Sequence, residues 1–237
     1  MKAYLEPEEV EAMENQAECL RDKLLIRLLF RTGCRISEAL GLEVKDIDLE
    51  QGTVAIRHLK ARVKLSCPEC RARIASTSRF CPCCGSRVEE AVSDLREHRR
   101  RRVLPVDQDT LGLLDDYVRR GGTVSKNGSQ FIFGINRYRA WRIVTDCAYK
   151  TGVLGLVNPE TGKMRGVSPH RLRDAFAVHA VKHDDSGDGL RLLQEQLGHA
   201  GIGTTMRYRK VASQELKEWY EGLWQKSEVD NGQVCQS

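Results

Sequence analysis

"EVKDIDLEQGTVAIRHL", residues 43–59, is where one hydrophobic period gives way to another. Its apolar residues alternate instead of recurring every third or fourth position, and Gln51-Gly52 separates two such runs, so the stretch reads as two strands joined by a turn. Upstream the period is helical. Pro7 suits the first turn of a helix over "PEEVEAMENQAECL"; "RDKLLIRLLFRTG" forms a second that Gly33 stops, and "RISEALGL" a short third. Downstream, "RRRVLPV" reads as a third strand, and helices return at about 107–120, 137–151, 169–183, 189–197, 203–209 and 212–225. The last residues, "SEVDNGQVCQS", read as a loose tail. The fold class is therefore α+β, mainly helical, with a small antiparallel sheet and no internal repeat.

The sheet is expected to be interrupted. Between its second and third strands lies "CPECRARIASTSRFCPCCG", residues 67–85, which holds five of the nine cysteines of the chain. Cys67 and Cys70 form one Cys-x-x-Cys knuckle and Cys81 and Cys84 another, the ligand pattern of a zinc ribbon at about 65–92. Cys84 is preferred over Cys83 because it completes the spacing and precedes Gly85, although the two thiols can exchange in this reading. Four protein ligands leave no open coordination position, so the zinc is expected to be structural. Cys19, Cys34, Cys147 and Cys235 are scattered and read as core or surface thiols.

The chain has 237 residues, 41% of them hydrophobic, which is ample for a core. Its first residues turn acidic at once and no apolar run reaches the roughly 18 residues of a membrane span, so a cytoplasmic protein with no membrane partner is expected. The net charge is a modest +5, but it is uneven: residues 57–102 carry thirteen cations against five acids, a local excess of eight. Such an excess favours a polyanionic partner such as nucleic acid.

Three polar stretches carry the chemistry. In "VSPHRLRDAF", Ser168 is a suitable N-cap and Pro169 a suitable first helical residue, which puts His170 and Arg173 three apart in the first turn, where a helix attracts anions. In "RTGCRISEAL", Arg35 opens a helix with a fork able to grip phosphate, and Glu38 is one turn on, placed to steady it. In "LGHAGIGTTMRYRK", residues 197–210, Tyr208 follows His199 by nine residues and is ringed by Arg207, Arg209 and Lys210.

Together "TGCRISEALGL", "SPHRLRDAFAVHAV" and "LGHAGIGTTMRYRKV" resemble the three signature boxes of tyrosine recombinases, the phage integrase and Xer-type family. The resemblance covers essentially the catalytic domain of that family, here 1–237 with the zinc ribbon inserted and no separate N-terminal core-binding domain. It implies that Tyr208 is the nucleophile, that Arg35 and Arg173 clamp the non-bridging phosphate oxygens with Glu38 supporting the first, and that His170 and His199 handle protons or bind phosphate. The catalytic lysine of the family follows its second strand, which points to Lys60, with Lys64 near enough to compete.

The implied reaction is attack of a phenolate on a DNA phosphorus, with two guanidiniums neutralising the equatorial oxygens and a general acid protonating the leaving deoxyribose oxygen. A 3′-phosphotyrosyl ester results, and a DNA hydroxyl can reseal it without ATP or a catalytic metal. The cations around Tyr208 are expected to favour its charged form. The expected partners are double-stranded DNA and, on it, further copies of the chain. Two other readings share parts of this set: a type IB topoisomerase-like nicking and resealing enzyme, and a non-catalytic zinc-ribbon DNA-binding protein. The ribbon itself reads either as added phosphate grip or as a structural or protein-contact cap.

Overall fold

The computed structural model describes residues 2–57, 62–75, 77–89, 92–96, 101–158 and 161–209. Its first half is built on helices α1 (Pro7–Asn15), α2 (Leu20–Thr32) and α3 (Ile36–Leu40). Leu24, Leu25, Ile26, Leu28 and Leu29 of α2 are all fully buried, so this helix is apolar on nearly every side and other helices must surround it. α1 packs on it through Val10 and Met13, and the buried Glu14 carboxylate accepts from Arg27 at 2.7 Å. This hairpin separates the two helices more than the sequence predicts: α1 ends at Asn15 rather than near residue 20. No Gly or Pro marks the break, which is set by packing α1 back onto α2.

A 3₁₀ turn, Val44–Asp46, then leads into β1 (Ile47–Asp48) and β2 (Thr53–Arg57), joined at the expected turn, where Gly52 has φ +66°. β3 (Arg62–Ser66) and β4 (Val92–Arg96) pair with each other in antiparallel register, Arg62 opposite Arg96 and Ser66 opposite Val92, and form the base of the cysteine segment. β5 (Arg101–Pro105) returns to pair with β2, Thr53 opposite Pro105 and Arg57 opposite Arg101. The three-stranded sheet β1-β2-β5 thus closes across the insertion as expected. The insertion itself is longer at each end than 65–92.

α4 (Gln108–Arg119) starts from the Asp107 cap, whose carboxylate accepts from the Thr110 backbone N–H at 3.0 Å. Two hairpins absent from the sequence reading follow: β6 (Val124–Lys126) with β7 (Ser129–Phe131), and, on the far side of α5 (Arg137–Lys150), β8 (Leu156–Val157) with β9 (Met164–Arg165). The first turns at Asn127-Gly128 with both φ values positive, the dipeptide signal for a tight hairpin. α6 (Pro169–His183) and α7 (Gly187–Leu197) complete the body, and α6 packs directly on α2. The helix predicted over 203–209 is instead the short α8 (Ile202–Thr205) followed by a 3₁₀ turn, Met206–Tyr208. The helix expected at 212–225, the tail, Lys210, Cys235 and Lys60 lie outside the described residues.

One core joins α1, α2, the sheet residues Val54, Ile56 and Leu104, α4, α5 and the start of α6. A second joins Ala177 and Val181 of α6 to Leu190, Leu193 and Leu197 of α7, and Tyr208 packs on its edge. The ends of α2, α6 and α7 and the Tyr208 turn therefore converge.

Candidate active site

Gly33 ends α2 in the left-handed conformation and delivers the chain to Arg35, the N-cap of α3. The Arg35 backbone N–H donates to Glu38 Oε2 at 2.9 Å and its guanidinium to Oε1 at 3.0 Å, the expected support. Glu38 is 2% exposed and also accepts from Arg102 at 2.8 Å. Arg102 in turn donates to the Gln196 carbonyl at 2.7 Å, which ties β5 to the end of α7. The sequence reading counted Arg102 only as part of a cationic run. It lies two residues before the buried Leu104, so strand alternation was the signal that its side chain faces inward.

Arg173 is 2% exposed on α6 and donates to two helix-terminal carbonyls, those of Gly33 and Leu197. Burial, with the field of Arg35 next, lowers its pKa to about 10, so it remains cationic at neutral pH. Arg35, Arg173 and His170 line a cleft of about 410 Å³ with Cys34, Arg137 and Trp141. The last two were not singled out in sequence; they come from the exposed start of α5, across the cleft. A larger groove of about 700 Å³ between β5, α6 and α7 is mostly apolar in lining, with Arg31, Arg101, Arg102 and His183 among its residues, and does not include Arg35, His170 or Arg173.

His199 follows Gly198, which ends α7 in the left-handed conformation. Its Nδ1 lies 3.0 Å from the buried Thr205 hydroxyl, and its ring stacks on Tyr208 with centroids 6.4 Å apart. Burial and the fields of Arg173, Arg35 and Arg102 pull His199 from 6.5 down to about 4. At neutral pH it is thus an uncharged imidazole, whose Nδ1 shares one hydrogen bond with Thr205 and whose Nε2 is the ring's other donor-or-acceptor nitrogen. His170 is mostly exposed, with Nε2 3.7 Å from Asp174 Oδ1.

Tyr208 departs from expectation. Its hydroxyl donates to Asp174 Oδ1 at 2.8 Å, and burial followed by the Asp174 charge pushes the phenol above its ordinary range, with Arg173 acting weakly in the other direction. Of its neighbouring cations, the two among the described residues do not enclose it: Arg207 is exposed, and Arg209 pairs with Asp185 at 3.3 Å. Residues adjacent in a tight turn point in different directions, so their nearness in sequence did not become a positive field at the phenol. Asp174, not recognised in sequence, is its partner instead.

In the insertion, Cys67, Cys70, Cys81 and Cys84 bring their sulfurs within 4.8 Å of one another, whereas Cys83 sends only its backbone N–H to Cys81 Sγ, at 3.4 Å. The two knuckles are alike. Each reads Cys-Pro-x-Cys and is followed by a left-handed residue, Arg71 or Gly85, whose N–H returns to the carbonyl of the first cysteine. The Cys70 backbone N–H and then the Ser86 hydroxyl lower the Cys67 thiol, while Cys70, beside the other sulfurs, is pushed up, so the close-set sulfurs do not all ionise alike without a cation among them.

The chain matches the model of the phage integrase family over residues 3–81 and 84–215. It is similar to the tyrosine recombinase XerD of Mycobacterium leprae, 27% identical over 215 residues that cover 86% of this chain and 52% of that protein. The chain spans about half the length of the curated relatives it matches. Among solved structures, the fold is shared with the XerH site-specific recombinase bound to difH substrate, at a TM-score of 0.61 and 21% identity over 93% of this chain and 55% of that one. It is shared also with the catalytic domain of bacteriophage HP1 integrase, at a TM-score of 0.53 and 16% identity over 93% of this chain and 95% of that one. The mainly helical body with small antiparallel sheets is thus the fold of a tyrosine recombinase catalytic domain.

Proposed function

We propose, because this chain belongs to the phage integrase family, that it cuts and rejoins double-stranded DNA through a 3′-phosphotyrosyl intermediate on Tyr208, as in site-specific recombination. The observation that carries this reading is the convergence on α6. Arg173 takes the carbonyls at the ends of α2 and α7, and the next residue, Asp174, takes the Tyr208 hydroxyl, so an anion clamp and a nucleophile are anchored by consecutive residues.

Arg35 and Arg173 donate to the non-bridging oxygens of the scissile phosphate, and their supports keep them aimed before charge develops there. His199 adds a neutral donor, and His170 binds phosphate or relays a proton from the rim. The Tyr208 oxygen bonds to phosphorus as the bond from phosphorus to the 5′ oxygen breaks. A lysine, Lys60 with Lys64 as the alternative, protonates that 5′ oxygen. No catalytic cofactor is involved.

The cysteine cluster suits structural zinc. Its Cys70–Cys81 and Cys67–Cys84 sulfur separations are 3.5 and 3.7 Å. A disulfide would need about 2.05 Å, whereas the edge of a tetrahedron with zinc–sulfur bonds of about 2.3 Å is about 3.8 Å. The ribbon would fold around the metal and present Arg71, Arg73, Arg79 and Arg87, all exposed, for phosphate contacts that weaken with salt. The catalytic domain with its inserted ribbon is our reading of the domain organisation. Double-stranded DNA is the partner, shared with further copies of the chain, in the cytoplasm.

The test is a nicked suicide DNA in which the cleaved fragment diffuses away. Wild-type protein is expected to hold the DNA through denaturing electrophoresis in the presence of EDTA, with its structural zinc retained, whereas Tyr208→Phe binds the DNA without trapping it. Exchange between paired sites is the outcome expected of a recombinase. Relaxation of supercoils without exchange would favour the topoisomerase reading, and binding without any adduct would favour the non-catalytic one.

A further inference from the structure

Tyr208 has to lose its hydroxyl proton when it attacks phosphorus, and that hydroxyl is aimed at Oδ1 of Asp174, 2.8 Å away. Asp174 is 6% exposed and its two oxygens are divided: Oδ2 accepts from Arg171 at 3.0 Å, which fixes the carboxylate, and Oδ1 is left to the phenol. The same oxygen lies 3.7 Å from His170 Nε2. Around this pair, His199 stacks on the phenol ring, and Arg173 and Tyr4 act on the phenol electrostatically.

We propose that Asp174 is the general base of strand cleavage, taking the phenol proton as Tyr208 bonds to phosphorus and returning it when the strand is resealed. The proposal rests on the reading of Tyr208 as nucleophile. In cleavage the Tyr208 O–H bond breaks as its oxygen bonds to phosphorus, the proton passes to Asp174 Oδ1, and the bond to the 5′ oxygen breaks, that oxygen taking a proton from the separate general acid. Resealing reverses each transfer, so nothing is oxidised and no further reactant is consumed. Burial and the adjacent carboxylate oppose a free phenolate in this site. The proton therefore leaves in concert with attack, when the oxygen becomes far more acidic. A carboxylate oxygen held on the phenol proton suits that transfer.

Asp174→Asn keeps the shape but has one acceptor oxygen, which serves the phenol only with the amide nitrogen turned to Arg171, and it does not take the proton. On the suicide DNA its single-turnover cleavage is expected to fall about 100- to 10,000-fold with DNA affinity little changed. Asp174→Glu is expected to keep most of the rate. Placing 3,5-difluorotyrosine, a more acidic phenol, at position 208 should then restore Asp174→Asn by about tenfold or more beyond its effect on wild type. Cleavage by Asp174→Asn at the wild-type rate or faster would overturn the proposal, and so would a loss that the acidic phenol leaves unrepaired, which marks a scaffold role. Asp174→Ser serves in the same way if Asn at 174 prevents folding. In the DNA-free protein, the Tyr208 titration followed by NMR is expected to move to lower pH in Asp174→Asn, and an unmoved titration would contradict the contact itself. Absence of any wild-type adduct would defeat the nucleophile reading, whereas a wild-type adduct beside an unimpaired Asp174→Asn defeats this proposal alone.

Discussion

At the scale of single residues, the site depends on groups whose charge state the fold has chosen. His199 is the clearest, held at about 4 by burial and the four guanidiniums of Arg173, Arg35, Arg102 and Arg207 where an unfolded chain would leave it near 6.5. The unfolded state therefore binds a proton first as pH falls. This contribution to stability is whole above about 6.5 and is lost progressively towards about 4. The urea midpoint of wild type should fall relative to that of His199→Gln across this window; parallel curves would contradict the assignment. Arg35, Glu38, His170, Arg173, His199 and Tyr208 were legible in sequence because each belongs to a short motif with local spacing. Arg102 and Asp174 were not singled out, because their roles come from partners 94 and 34 residues away, the Gln196 carbonyl and the Tyr208 hydroxyl. The same limit explains the error at Tyr208, where cations adjacent in the chain were taken as adjacent in space.

At the scale of elements, the site is an arrangement of helix ends. Arg173 consumes carbonyls left over at the ends of α2 and α7, which welds the three helices while presenting its charge to the cleft. Gly198 is the joint that touches the cluster directly. Its φ is +64°, and a Cβ there would lie 2.5 Å from the Arg102 guanidinium. Gly198→Ala should cost about 1–2 kcal/mol for the left-handed backbone, plus the displacement of Arg102 from Glu38, and it should slow cleavage as Arg35 loses its support. In an Arg102→Ala background only the backbone cost should remain, so a double-mutant cycle of unfolding free energies checks the mechanism. Fully additive costs would refute it. Most helices were readable from period and caps. The α1–α2 break was read, but the end of α1 was placed too late because packing and no Gly or Pro sets it, and the β6–β7 hairpin was missed although Asn127-Gly128 announced it.

At the scale of the whole molecule, a mainly helical body carries an insertion with a core of its own, Cys67, Ile74 and Cys81, separate from the two cores of the helices. The convergence of the four cysteines was readable from their spacing, since knuckle geometry is local. Protein purified without chelator should contain one equivalent of zinc. Cys67→Ser with Cys70→Ser should abolish it and expose residues 62–96 to protease while the helical circular dichroism persists. Metal-free wild type, or collapse of the helices with the ribbon, would count against an independent zinc module. The decisive measurement is mass mapping of the covalent adduct after nuclease digestion: a nucleotide phosphate on Tyr208, and no adduct from Tyr208→Phe, is the expected result. An adduct on another residue, or one that survives in Tyr208→Phe, would contradict the assignment.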